Sequence, residues 1–205
     1  MVALIRIDES HIQDHCYLSP EDECYYFGEY ISRGGYSASE VNQLILNFKK
    51  PVDRIGTSQY AYKLREIERV GRLVSEILSV EILERFTFVP VPPSKSRDHP
   101  LYDDRLIQSL RRAHPDLDVR ELILSSCSDR SHHEYGTEER RPTPEQLENR
   151  YIINEAELQS QVKPGIVIFD DILTTGAHFK ACKSFLGRSL PGTLIIGLFI
   201  GRANH

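Results

Sequence analysis

The chain has little of what would mark a secreted, membrane-spanning or nucleic-acid-coating protein. Its four cysteines, Cys16, Cys24, Cys127 and Cys182, form no paired framework, which agrees with a reducing compartment. Cys16 and Cys24 have His11 and His15 nearby but lack the CxxC spacing of a zinc site, and they read as structural cysteines. No apolar run approaches the roughly 18 residues that span a bilayer. The first residues carry Asp8, Glu9 and His11 where a secretory leader would be apolar. The expectation is a cytoplasmic protein with no membrane partner. Lys and Arg number 25 against 30 Asp and Glu, a formal net charge of -5. That balance disfavours duplex DNA as a bulk partner and leaves nucleic acid open only through local basic patches. There is no Gly-x-x-x-x-Gly-Lys-Ser/Thr loop for a nucleoside triphosphate. Nor is there a pair of Asp residues separated by one position after a strand, as a phosphatase of the haloacid-dehalogenase type requires.

The richest stretch runs from Gly165 to His178, Gly-Ile-Val-Ile-Phe-Asp-Asp-Ile-Leu-Thr-Thr-Gly-Ala-His. Ile166 to Phe169 is an apolar β-branched run, expected as a strand of a parallel sheet buried on both faces. Asp170 and Asp171 follow, and then Thr174, Thr175 and Gly176 open a helix with Ala177, Ala181 and Phe185 on one stripe. Ligands of open α/β sheets collect beyond the carboxyl ends of the strands, and a helix start offers N–H groups to an anion. Two acids beside a phosphate repel it unless sugar hydroxyls or a hydrated divalent cation lie between them. A ribose 5-phosphate meets all these conditions together.

This pattern resembles the phosphoribosyl-diphosphate (PRPP) motif of type I phosphoribosyltransferases. By position the resemblance implies that Asp170 and Asp171 hold the ribose hydroxyls and Mg2+, directly or through water. It implies that Leu173, Thr174, Thr175, Gly176, Ala177 and His178 wrap the 5-phosphate. Purine-salvage relatives have an Asp at the position of Thr174, so 6-oxopurine salvage is disfavoured, and His178 stands where relatives usually have Thr.

Upstream, Ser39 caps a helix carrying Val41, Leu44, Ile45 and Phe48 that closes at Lys49–Lys50 before Pro51. A longer helix is expected from Gln59 to Arg85, with Tyr60, Leu64, Ile67, Gly71, Val74 and Leu78 on one stripe. Phe86 to Val91 is a strand whose exit, Pro92-Pro93-Ser94-Lys95-Ser96-Arg97, is fixed by proline and carries cations suited to a diphosphate. It resembles the strand exit of ComF-like phosphoribosyltransferases. That branch also has a similar Lys at Lys49 and an arginine at Arg105, although a solvated helix end explains Lys49 better and an Arg-rich surface helix explains Arg105 equally.

Val119 to Leu124 is expected as a third strand. Residues 125–150 lack apolar periodicity and match the flexible catalytic loop of the family, with Arg140 and Arg141 facing the leaving diphosphate. His132, His133 and Glu134 within it lack the spacing of a metal site. Leu194 to Ile200, followed by Gly201 and Arg202, is the last strand, with Gly197 permitting close approach by a neighbour.

The expected fold is α/β, a type I phosphoribosyltransferase-like (Rossmann-like) parallel sheet flanked by helices. Strands near 86, 119, 165 and 194 belong to a core over 38–205, and residues 1–37 form a small N-terminal hood that could add a fifth. The resemblance implies transfer of ribose 5-phosphate from PRPP to a nitrogenous acceptor with release of diphosphate, and a homodimer as the common assembly. The alternative is a non-catalytic PRPP- or nucleotide-sensing regulator or accessory protein, in a ComF-like DNA-uptake or defence-associated role.

Overall fold

A computed structural model describes residues 4–126 and 142–204. The chain is α/β, with a mixed five-stranded sheet flanked by helices, an arrangement compatible with a Rossmann-like fold. In chain order the strands are β1 (Ile5–Arg6), β2 (Cys24–Ile31), β3 (Phe86–Pro90), β4 (Ile123–Ser125), β5 (Tyr151–Ile153), β6 (Gly165–Leu173) and β7 (Leu194–Asn204). The helices are α1 (Glu9–Ile12), α2 (Glu40–Phe48), α3 (Ser58–Ser75), α4 (Val80–Arg85), α5 (Arg105–Ala113), α6 (Pro144–Glu148) and α7 (Ala177–Ser189).

The main sheet has the order β1-β2-β7-β6-β3. Strands β2, β7, β6 and β3 are parallel, and β1 is antiparallel to β2. Their apolar runs supply the buried centre, where Phe88, Val89, Ile166 to Phe169 and Leu198 to Ile200 are almost wholly shielded. Strands covered on both faces read as continuous hydrophobic runs, as β6 does.

One strand expectation is corrected. The segment near 119 joins the main sheet only through a parallel bridge between Val119 and Phe88. Its continuation, β4, pairs antiparallel with β5 in a separate two-stranded sheet. The additional strand that residues 1–37 could supply is present as β2, parallel to β7, and Cys24 and Tyr26 within it belong to the main core. The long helix is also shorter than its apolar stripe suggests. It stops at Ser75, and a new helix starts at Val80 because the Ser79 side chain accepts from the Ile82 N–H. The buried face of α3 is Lys63, Ile67, Val70, Gly71 and Val74, whereas Leu64 is exposed. A lysine therefore occupies a core position that Leu64 was expected to share.

Two local expectations are met. Ser39 caps α2 by accepting from the Asn42 N–H. Gly197 lies so close to Cys24 and Phe179 that an added Cβ would stand 2.9 and 3.1 Å from their side-chain atoms. The loop expected over 125–150 is corrected at its end, where Pro144–Glu148 forms α6 and Thr143 and Gln146 make a reciprocal cap at its start. No helix among the described residues is long and apolar enough to cross a membrane.

Candidate functional site

Strands β3 and β6 are neighbours, so the turn after Pro90 and the turn after Leu173 meet at one edge of the sheet. Between them opens a cleft of ≈ 310 Å³. Ser94 and Lys95 from the first turn, Arg105 from the start of α5, and Asp170, Asp171, Thr174 and His178 all line it. Chain segments some 75 residues apart in sequence thus converge because parallel pairing carries both strand ends to the same edge.

Strand β6 continues through both acids to Leu173, which pairs with Arg202, whereas the apolar run alone suggests a strand ending at Phe169. The two adjacent carboxylates have different surroundings. Asp171 is buried and accepts from Lys49 Nζ at 2.9 Å and from Arg105 Nη2 at 2.5 Å. Burial works against its charge, but Lys49 and Arg105 outweigh that and hold the carboxyl below its ordinary range. Asp170 accepts the Asp171 backbone N–H at 2.7 Å. Burial and the neighbouring Asp171 charge push its pKa up to about 6, with His178 and Lys49 pulling the other way. A carboxylate fully matched by internal cations and one held near its point of ionisation therefore stand side by side.

The threonine turn is shaped from behind. The ring of His15, wholly buried, donates from Nδ1–H to the Thr174 carbonyl, and the Tyr17 N–H donates to the Thr175 carbonyl at 3.0 Å. A trans peptide points its N–H away from its C=O. Fixing these two carbonyls toward residues 15–17 therefore turns the N–H groups of Thr175 and Gly176 the other way. Gly176 has φ 83° and caps α7 in the left-handed region, and a Cβ there would lie 2.9 Å from Leu18. Glycine is required twice over. Leu173 and Ala177 are buried and support the turn from inside.

Arg97 lies outside the main cleft. Its Nη2 donates to Glu121 at 2.5 Å, and it borders a neighbouring hollow of ≈ 360 Å³ together with Lys95 and Tyr102. Glu121 also accepts from the Tyr102 hydroxyl at 2.8 Å. Arg140 and Arg141 lie outside the described residues. The sequence reading missed Asp103, Glu121 and Lys63, whose acidic or helical settings gave no signal of the partners they meet. Lys63 Nζ donates to Asp103 at 2.6 Å, and Asp103 in turn accepts from Arg105 Nη1 at 2.8 Å.

No group of three or more His, Cys, Asp or Glu able to hold a metal ion occurs among the described residues. Magnesium, however, commonly takes one or two carboxylates and completes its shell with water and substrate phosphates. Asp170 suits that mode better than Asp171, both of whose oxygens already face cations. Searched against protein families and against curated proteins, the chain matches none of either.

Proposed function

We propose that the cleft binds PRPP and that the protein transfers ribose 5-phosphate from it to a nitrogenous acceptor. The observation that carries this reading is the meeting, at one sheet edge, of the Ser94–Lys95 turn with Asp170 and the Thr174–His178 turn. The cationic turn suits the diphosphate. The oriented N–H groups of Thr175 and Gly176, with the Thr174 hydroxyl, suit the 5-phosphate. Asp170 lines the same cleft, where it would meet the ribose hydroxyls.

The two oxygens of Asp171 are engaged by Lys49 and Arg105, so this acid anchors the cleft wall and Asp170 meets the ligand. Mg2+ bound at Asp170 would supply positive charge to the diphosphate. In the transfer the C1–O bond breaks with its electron pair leaving on diphosphate, the C1–N bond forms, and the acceptor nitrogen loses a proton. Lys95 would meet the charge that builds on the leaving group. Arg105, with both terminal nitrogens committed to Asp103 and Asp171, would act by holding Asp171.

A second reading, a PRPP-sensing protein without catalysis, is favoured by one feature. Thr174 puts a hydroxyl where purine-salvage relatives have an acid, and a neutral hydroxyl is a poor base for the acceptor's proton. Binding and turnover separate the two. Calorimetric titration of PRPP with Mg2+ should give micromolar-range binding to the wild type and none to Asp170→Asn. Diphosphate release on adding heterocyclic bases or amines would then identify the enzyme, and binding without release the sensor. Absence of PRPP binding to the wild type would dispose of both.

A further inference from the structure

Lys63 is 1% exposed in the middle of the apolar face of α3, between Tyr60 and Ile67 on the same helix. Burying an ammonium costs several kcal/mol unless partners offset it, and a well-packed apolar side chain would commonly serve stability as well or better. Burial indeed draws the Lys63 pKa down despite the nearby Asp103. The position calls for a reason beyond packing.

The reason lies in what the ammonium joins. Lys63 Nζ donates to Asp103 Oδ2 at 2.6 Å and to the Lys50 carbonyl at 2.8 Å. From Asp103 the path continues through Arg105 Nη1 at 2.8 Å and Arg105 Nη2 to Asp171 Oδ2 at 2.5 Å. From Lys50 it continues along the backbone to Lys49, whose Nζ reaches Asp171 Oδ1 at 2.9 Å. The two branches close into a ring that ties the end of α2, the middle of α3, the start of α5 and the end of β6. Each carboxylate in it stands between two cations. The Arg105 guanidinium is further steadied against the Phe48 ring, 5.6 Å from its centroid.

We propose that Lys63 is the positioning residue of the cleft: it occupies Asp103 and the Lys50 carbonyl so that Arg105 and Lys49 hold the Asp171 carboxylate in place for a ribose-bearing ligand. This rests on the reading of the cleft as a PRPP site. The physics is a competition for one guanidinium. With the Lys63 charge present, Asp103 shares its negative charge between two cations and leaves Arg105 Nη2 to Asp171. Without it, Asp103 turns on Arg105 alone, in the bidentate geometry that arginine and carboxylate favour. Asp171 is then left with Lys49, which is half-exposed and free to sample other positions.

The test compares two ligands of one cleft. In Lys63→Met, PRPP affinity with Mg2+ should fall at least tenfold while inorganic diphosphate, held at the Ser94–Lys95 turn, stays within about twofold of wild type. Val74→Ala, a cavity on the same buried face of α3, should lower stability and leave the PRPP-to-diphosphate ratio unchanged. An unaltered ratio in Lys63→Met, or the same change of ratio in Val74→Ala, overturns the proposal. Lys63→Gln keeps a donor while removing the charge and takes the place of Met should the latter fail to fold. A crystal structure of the variant decides independently of PRPP. Arg105 drawn off Asp171 into a two-point contact with Asp103 supports the role, and Arg105 retained on Asp171 overturns it. Should the wild type bind no PRPP, the proposed function falls while this crystallographic comparison still settles what Lys63 does.

Discussion

Two groups of buried charge sit at the same end of the parallel sheet, and the one at β6 opens onto the cleft. At the end of β7, Arg202 is 5% exposed and donates to Asp14 at 2.8 Å and to Glu29 at 3.1 Å, with the Tyr26 hydroxyl also on Glu29. Its partners come from the first thirty residues, and they match it on the spot. At the end of β6, Asp171 is as deeply placed, but beside it stands Asp170, whose charge the surrounding groups match only in part. Burial of charge alone therefore does not mark a binding site. What distinguishes the β6 end is an acid left short of cations in the wall of a cleft.

The largest expected effect breaks this comparison at its arginines. Arg105→Met should destabilise the fold by about 3–5 kcal/mol, since Asp171 is then left buried, and Asp103 half-buried, with too little positive charge. Arg202→Met should cost only about 1–2 kcal/mol, because Asp14 and Glu29 reach solvent more readily, with side chains 45% and 36% exposed. Denaturant unfolding of both variants gives the order. A reversed order would mean that the closed cluster carries the greater electrostatic load.

A smaller effect is expected at two glycines. A Cβ on Gly176 would come 2.9 Å from Leu18, and one on Gly28 would come 2.8 Å from Val41, at the far end of its side chain. Only Gly176 also has positive φ. Gly176→Ala should cost about 1–3 kcal/mol, and Gly28→Ala less, as Val41 can turn aside. Equal losses in thermal unfolding would show that steric overlap rather than backbone conformation sets the cost.

The smallest effect has the opposite sign. Folded Asp170 titrates near 6, above its ordinary value, so its proton favours the fold when bound, and that advantage is gone once pH rises through about 6. Asp170→Asn removes a poorly matched charge and should raise stability at pH 8 by on the order of 1 kcal/mol. The gain should shrink as the pH is lowered toward 5. Melting curves across this range check it, and a loss of stability at pH 8 would contradict the account of Asp170 as under-compensated.

Much of this arrangement was readable from residue order because it is local. The Gly165–His178 stretch announces strand, acids, turn and helix within fourteen positions. The Ser39 cap and the Phe86–Pro90 strand likewise follow from short-range patterns. What could not be read depends on partners distant in the chain. Lys63 sits at a helical position that solvent or core could claim, and its burial follows from Asp103, forty positions on. Arg97 looks available to an anion until Glu121 meets it. Residues 1–37 were hardest to place because β2 finds its partner in β7, at the far end of the chain. The long-helix expectation failed for a local reason, the Ser79 cap, a signal present in the sequence but masked by the apolar stripe that runs past it.

The grip of His15 on the Thr174 carbonyl spans 159 positions, and this has a consequence for the order of events in biosynthesis. A ribosome must release the chain beyond residue 174 before the residues that aim the turn can find it, and the pairing of β2 with β7 waits until residues 194–204 have followed. Closing so long a loop carries its entropic cost before any contact repays it. Helices α2 and α3, being local, can form far earlier. The cleft is therefore among the last features to be assembled, and a nascent chain stalled before residue 174 has helices but no pocket to occupy.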